Sequence, residues 1–343
     1  MDKPSSRFLR ACRRQPVDRT PVWFMRQAGR YMAEYRAIRQ KHSMLEICAN
    51  AELAAEVTMQ PMKRLDVDAA IIFADLLPPL MPMGIDLEYA AGEGPIIHNP
   101  VRAAKDVERL RAYDPLEYLS PTFEAIRQVR KELPASKALI GFAGAPFTLA
   151  SYMIEGGSSR NYLQSKQLMY GEPAVWHDLM SKLADVTSRY LRGQVEAGAD
   201  AVQIFDSWAG ALSPRDYRAF VFPHVSRIVA NLKPLDVPII LFGTGTEGLL
   251  DQFAATGADV VGLDWRVTIE RGWERVGHDK AVQGNLDPIL LFAPRDEIER
   301  QVRAILDEVG GRSGHIFNLG HGILPSTPVE KVQFVADLVH RIP

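Results

Sequence analysis

The chain has 343 residues, 47% of them hydrophobic and 24% charged, with 40 basic against 42 acidic side chains and a formal net charge of −2. That balance excludes a nucleic-acid or membrane-surface binder working by bulk charge, so any basic cluster is a local device. Two cysteines, Cys12 and Cys48, are too few for a disulfide framework or a cysteine-rich metal site. The N-terminus has no apolar h-region and no apolar run reaches membrane-spanning length, which makes the cytoplasm the expected compartment.

The first apolar run, VWFM at 22–25, leads into RQAGR and so places Arg26 and Arg30 around Gly29. The second, AAIIF at 69–73, delivers Asp75. A segment from 76 to 137 then breaks the rhythm. It holds a hairpin-like excursion, MPMGIDLEYAAGEGPIIHNP, and a helix, TFEAIRQVRKEL. The third run, ALIGFA at 138–143, precedes a stretch containing Tyr152. The fourth, AVQIF at 201–205, ends in Asp206 and Ser207. PIILF at 238–242 ends in FGTGTEG, and VVGLD at 260–264 in Asp264. AVQGN at 281–285 and HIFNL at 315–319 complete the series, the last followed by His321 between two glycines.

Runs without alternation suit parallel strands buried on both faces. Helical patterns separate them, and Gly198 and Gly257 are expected to cap two of those helices in the left-handed conformation. Eight β runs alternating with helices predict an α/β fold of the (β/α)8 TIM-barrel type. It is expected to be one domain, 1–343, with an insertion between the second and third strands. A doubly wound sheet is the rival. Near the C-terminus, TPVE at 327–330 reads as a capping box with Pro328 at the first helical position.

Chemistry in such a barrel sits at the C-terminal ends of the strands. A guanidinium is costly to bury, so Arg26 and Arg30 either meet carboxylates within the fold, Glu34 or Asp75, or wait for an anionic ligand. Asp75 is either a helix cap or a working carboxylate. Asp206 and Asp264 read as turn residues. The glycines around His321 allow a ligand to approach the backbone closely.

No strand end carries a lysine, which argues against a Schiff-base aldolase. There is no HExxH, CxxC, Walker A or strand-to-helix GxGxxG motif. The residues alone describe a barrel enzyme that binds a polyanion through arginines, with one or two carboxylates opposing. Decarboxylation, isomerisation and glycoside cleavage all remain open.

PVWFMRQAGRY at 21–31 and GFAGAPFTLASYMIEGG at 141–157 resemble the two signatures of the uroporphyrinogen decarboxylase family. DAAIIFADLL, VVGLDW, QGNLDP and NLGHGILP resemble further blocks in the family's order. The resemblance implies a cofactor-free, metal-free homodimer that converts the four acetates of uroporphyrinogen III to methyls, giving coproporphyrinogen III. It implies a tetrapyrrole substrate held by Arg26, Gln27, Ala28, Gly29, Arg30, Asp75, Tyr152, Ser207 and His321. Asp75 would stabilise a pyrrole protonated on carbon, and Arg26, itself or through a water it holds, would supply the proton. Two rivals are weighed against this: a zinc-dependent methyltransferase of corrinoid metabolism, for which thiolate and imidazole ligands are lacking, and a non-catalytic tetrapyrrole carrier.

Overall fold

The computed structural model describes residues 6–90 and 94–342. Seven strands form one parallel sheet: β1 (Ala69–Ile71), β4 (Ala138–Gly144), β5 (Ala201–Asp206), β6 (Ile239–Gly243), β7 (Val260–Gly262), β8 (Ala281–Gln283) and β9 (His315–Ile316). They pair in that order, each crossover running through helices, as right-handed β–α–β winding requires. β2 (Leu87–Ala90) and β3 (Gly94–Ile97) form a separate antiparallel hairpin. It lies in the predicted insertion, and part of its connection, 91–93, falls outside the described residues.

The run at 22–25 is not a regular strand but a single bridge, Val22 to Phe317. It still joins the two edges of the curled sheet. On one side the Asp68 N–H donates to the Val22 carbonyl at 2.7 Å; on the other, Trp23 N–H donates to the Phe317 carbonyl at 3.3 Å. The ladder stops there because side chains take the remaining donors. Asp68 Oδ2 accepts the Val22 N–H (2.8 Å), Gln27 Oε1 that of Phe24 (3.1 Å) and Asn318 Oδ1 that of Met25 (3.1 Å). Burial works to raise the Asp68 carboxyl, but hydrogen bonds from His340 and Val22 and the Arg7 charge outweigh it and hold the group below its ordinary range.

Side chains of alternate strand residues, among them Ala69, Ala138, Ile140, Ala201, Ile240, Val260, Ala281 and Ile316, pack with Trp23 and Met25 into the barrel interior. Phe8, Ala11 and Cys12 of helix Arg7–Cys12 close its lower end. One polar chain runs through it. Trp23 Nε1 donates to Gln283 Oε1 (2.9 Å), and Gln283 Nε2 donates to Gln203 Oε1 (3.1 Å), so these buried polar groups are partnered. The opposite strand faces pack beneath the helices in the main core.

Helix boundaries follow the apolar periodicity: Ala51–Arg64, Ser120–Glu132, Pro173–Ala197 and Arg295–Val309. Gly198 and Gly257 take φ of +123° and +90°, where a side chain would be strained. The capping box expected at 327–330 does not form. Helix Val329–Arg341 starts after Pro328, and the buried Thr327 hydroxyl has no partner among the described residues. With Pro328 as the N-cap residue, Thr327 lies one position too early to cap the helix through its side chain. No helix among the described residues is long and apolar enough to cross a membrane.

Candidate active site at the barrel mouth

A cavity of about 920 Å³ opens at the C-terminal end of the strands, within the size range of sites that take a small organic molecule. Met25, Ile71 and the edge-to-face rings of Phe142, Phe205 and Phe242 lie at its base, with centroid separations of 5.5 and 5.9 Å. Its rim is basic.

Arg26, Ala28, Gly29, Arg30, Asp75, Tyr152, Ser207 and His321 all line this cavity. Elements distant in sequence bring them together: the loop after the bridging segment, the ends of β1 and β5, helix Pro146–Glu155 and the loop after β9. Gln27 does not line it. Its side chain points inward, with Nε2 donating to the Ala69 carbonyl (3.0 Å) while Oε1 accepts the Phe24 N–H. Gln27 shapes the arginine loop from behind.

Arg26 and Arg30 are both exposed, and neither forms an ion pair with a described carboxylate. Glu34 pairs instead with Arg64, at 3.5 Å. The internal ion-pair explanation therefore fails for both arginines. Arg26 adopts φ of +61°, unusual for a side chain of its size.

Asp75 Oδ1 accepts the Leu77 N–H (3.1 Å) and the Tyr89 hydroxyl (2.5 Å). The local turn expected of an aspartate at this place is present, but it uses one oxygen only. Tyr152 stacks on Trp208, centroids 4.0 Å apart. Burial first, and then the Asp75 charge, push its phenol up to about 12, so it remains a hydrogen-bond donor. Burial, with help from Arg26 and Arg266, lowers His321 to about 4. Its Nδ1 accepts the Gly322 N–H at 2.6 Å, which leaves the proton on Nε2. His321 is thus a neutral donor near pH 7.

Asp206 and Asp264 are both buried, the first as the last residue of β5 and the second just after β7. Asp206 takes the Thr148 hydroxyl (3.0 Å), and Asp264 takes the Gly245 N–H (2.6 Å) and pairs with Arg266. Sequence reasoning missed Arg39, Lys41, Tyr89 and Thr148, all of which line the cavity. The basic stretch from Arg36 to His42 was a usable signal for the first two. Nothing local marked Tyr89.

Among the described residues lining the cavity, Asp75 is the sole acid, facing Arg26, Arg30, Arg39 and Lys41. The arrangement suits a large, flat, partly apolar molecule with several carboxylates and a central donor aimed at Asp75. Among the described residues, no three His, Cys, Asp or Glu side chains come together as a ligand set for a metal.

A sequence-family model described as uroporphyrinogen decarboxylase (URO-D) matches residues 3–342. The uroporphyrinogen decarboxylase of Sorangium cellulosum is 59% identical over 337 residues, covering 98% of this chain and 96% of that one. That of Carboxydothermus hydrogenoformans is 55% identical over 335 residues, with the same coverage. Among solved structures, a methyltransferase from Methanosarcina mazei superposes with a TM-score of 0.83 at 20% identity, covering 98% of this chain and 97% of that one. A B12-independent methionine synthase from Shewanella sp. superposes at 0.58 and 12% identity, covering 88% and 90%. At those identities the two likenesses speak for the barrel fold alone.

Proposed function

We propose, for a chain that belongs to the uroporphyrinogen decarboxylase family, that the barrel mouth removes carbon dioxide from the four acetates of uroporphyrinogen III by using the substrate's own pyrroles as electron sink. Uroporphyrinogen decarboxylation in tetrapyrrole biosynthesis is the activity of this chain. The finer reading, with its product coproporphyrinogen III and its independence of any cofactor, is supported by one observation above the rest: one carboxylate among the described lining residues, set in a cavity with an apolar base and an arginine-rich rim.

Arg26 and Arg30 bind substrate carboxylates, in two-pronged fashion where geometry allows. The apolar base receives the macrocycle, and Asp75 accepts from the pyrrole N–H groups. Each cycle begins with protonation of a pyrrole carbon. The electron pair of the bond to carbon dioxide then flows into the cationic ring. A second proton completes the methyl and the ring proton is given back, so one carbon dioxide leaves and one proton is gained per acetate.

Asp75 opposes the ring cation as it forms, and a bound macrocycle that displaces water from the apolar base lets that fixed charge act strongly. Arg26 stands on the donor side, holding the water that delivers the proton, since a guanidinium is itself a poor acid. Tyr152, Ser207 and His321 orient carboxylates through hydrogen bonds. The loop from Arg26 to Arg30 contributes its backbone at Ala28 and Gly29.

We read 1–343 as one barrel domain; the family resemblance adds a homodimer, and a cytoplasmic location stays the expectation drawn from the sequence. Light scattering on the purified chain tests the dimer. The reaction is tested by anaerobic incubation of metal-stripped protein with uroporphyrinogen III, followed by oxidation and chromatography. Stepwise loss to the four-carboxylate porphyrin is the expected result. Binding without loss would leave a carrier; a requirement for added metal would overturn the cofactor-free step.

A further inference from the structure

We infer that Tyr89 is a positioning residue for this reaction, acting through Asp75; the inference rests on the decarboxylase reading above.

The β2–β3 hairpin is not part of the barrel sheet, and packing alone does not explain where it points. It is tied to the helix that carries Tyr152: Ile97 N–H donates to the Gly156 carbonyl (2.8 Å) and Val101 N–H to that of Met153 (2.9 Å). Strand alternation then sorts its side chains. Leu87 and Ile97, paired in register, are buried, and Tyr89 packs on the same side against the main core. Glu88 faces the other way and pairs with the exposed His98 at 2.8 Å. The alternation thus drives the Tyr89 ring inward until its hydroxyl reaches Asp75 Oδ1, 2.5 Å away.

A carboxylate offers acceptor sites on both oxygens. Here Tyr89 and the Leu77 N–H both use Oδ1, and no described donor reaches Oδ2. Two donors on one oxygen fix the rotation of the group. They leave Oδ2 as the oxygen free to meet the pyrrole N–H groups. The Tyr89 phenol is half-buried beside a charge, and desolvation together with Asp75 holds it well above its ordinary value. It therefore donates throughout the working pH range. Holding a reacting group in place by such supports is a recognised source of rate.

The rival role for Tyr89 is structural, pinning the hairpin to the barrel. A double-mutant cycle separates the two. Wild type, Tyr89→Phe, Asp75→Asn and the double variant are assayed anaerobically with uroporphyrinogen III, and thermal melts are recorded in parallel. Tyr89→Phe keeps the ring and its packing. It is expected to lower kcat roughly tenfold, the scale of a hydrogen bond to a charged group, with KM and the melting temperature nearly unchanged.

In the Asp75→Asn background the same change is expected to cost less than about twofold, because no carboxylate remains to be held. Equal losses in both backgrounds, or an unchanged kcat in Tyr89→Phe, overturn the inference. A drop in melting temperature with a raised KM also overturns it, in favour of the structural role. A wild-type chain inactive on uroporphyrinogen III overturns the decarboxylase reading and the inference with it; an active wild type with an unaffected Tyr89→Phe overturns only the inference.

Discussion

The Arg26 side chain crosses the bare Cα of Gly322. A Cβ built there would stand 2.4 Å from Arg26 Cδ and 2.7 Å from Cγ. Both residues line the cavity, so the glycine is the space that lets the arginine lie over the loop carrying His321. Gly322→Ala is expected to displace Arg26 without disturbing the core. kcat/KM should fall about tenfold or more, the order of one charged hydrogen bond, with an unchanged melt. Unaffected kinetics would show that Arg26 works from another position.

Arg30 has no acidic partner among the described residues, so its charge is available to an anionic ligand. Arg30→Ala should raise KM for the polyanionic substrate about tenfold, with melting temperature constant, and weaken the salt dependence of binding. Lost stability with normal KM would mean an unrecognised ion pair.

Asp75→Asn keeps the size of the side chain and removes the charge that opposes a forming cation. kcat should fall by about 10²–10³, the range for removing one preorganised electrostatic group, while the folded state persists by circular dichroism. Near-wild-type turnover would take Asp75 out of the mechanism.

Three histidines, the buried His224 and His315 and the half-buried His321, are each lowered to about 4, with desolvation the first cause in every case. Between about pH 4 and the ordinary value of 6.5 the unfolded chain therefore binds more protons than the native one. Stability from this source is whole above pH 6.5 and is lost as pH falls toward 4. Melts at stepped pH check it. His224→Gln, which removes the ring that meets His177 at 2.9 Å, should flatten the slope in that window.

Asp206 titrates in the opposite sense. Complete burial raises it to about 7, and Oδ2 has no partner among the described residues. Its contribution to stability is whole below about pH 4 and is lost as pH rises through 7. Asp206→Asn keeps an acceptor for Thr148 and removes the buried charge. The melting-temperature gain over wild type should be small at pH 4, grow toward pH 7 and then level off. A gain independent of pH would mean that the charge is not what costs stability there.

The alternation of apolar runs and helices made the barrel legible, because strands buried on both faces cannot hide their composition. The run at 22–25 shows the limit. Its apolar residues do lie in the wall of the barrel, but whether it pairs as a strand depended on Asp68, Gln27 and Asn318, whose side chains take its donors. Such competition comes from residues up to 293 positions apart, and no local pattern records it. The capping box at 327–330 did not form although the motif was present: the helix starts one residue later, with Pro328 in the cap position that Thr327 was expected to take.

The cavity divides in the same way. The chain itself determined the chemistry available: arginines beside a glycine, an aspartate after an apolar run, a histidine between glycines, and motifs specific enough to name a family. Tertiary structure decided which of them act together. It turned Gln27 inward, left Arg26 and Arg30 without a carboxylate partner among the described residues, and brought Arg39 and Lys41 to the rim. It also delivered Tyr89 to Asp75 from a hairpin outside the barrel. Residue type is a local property, whereas a side chain's direction and partners follow from how distant segments pack, and in this protein those partners decide which groups remain free for a substrate.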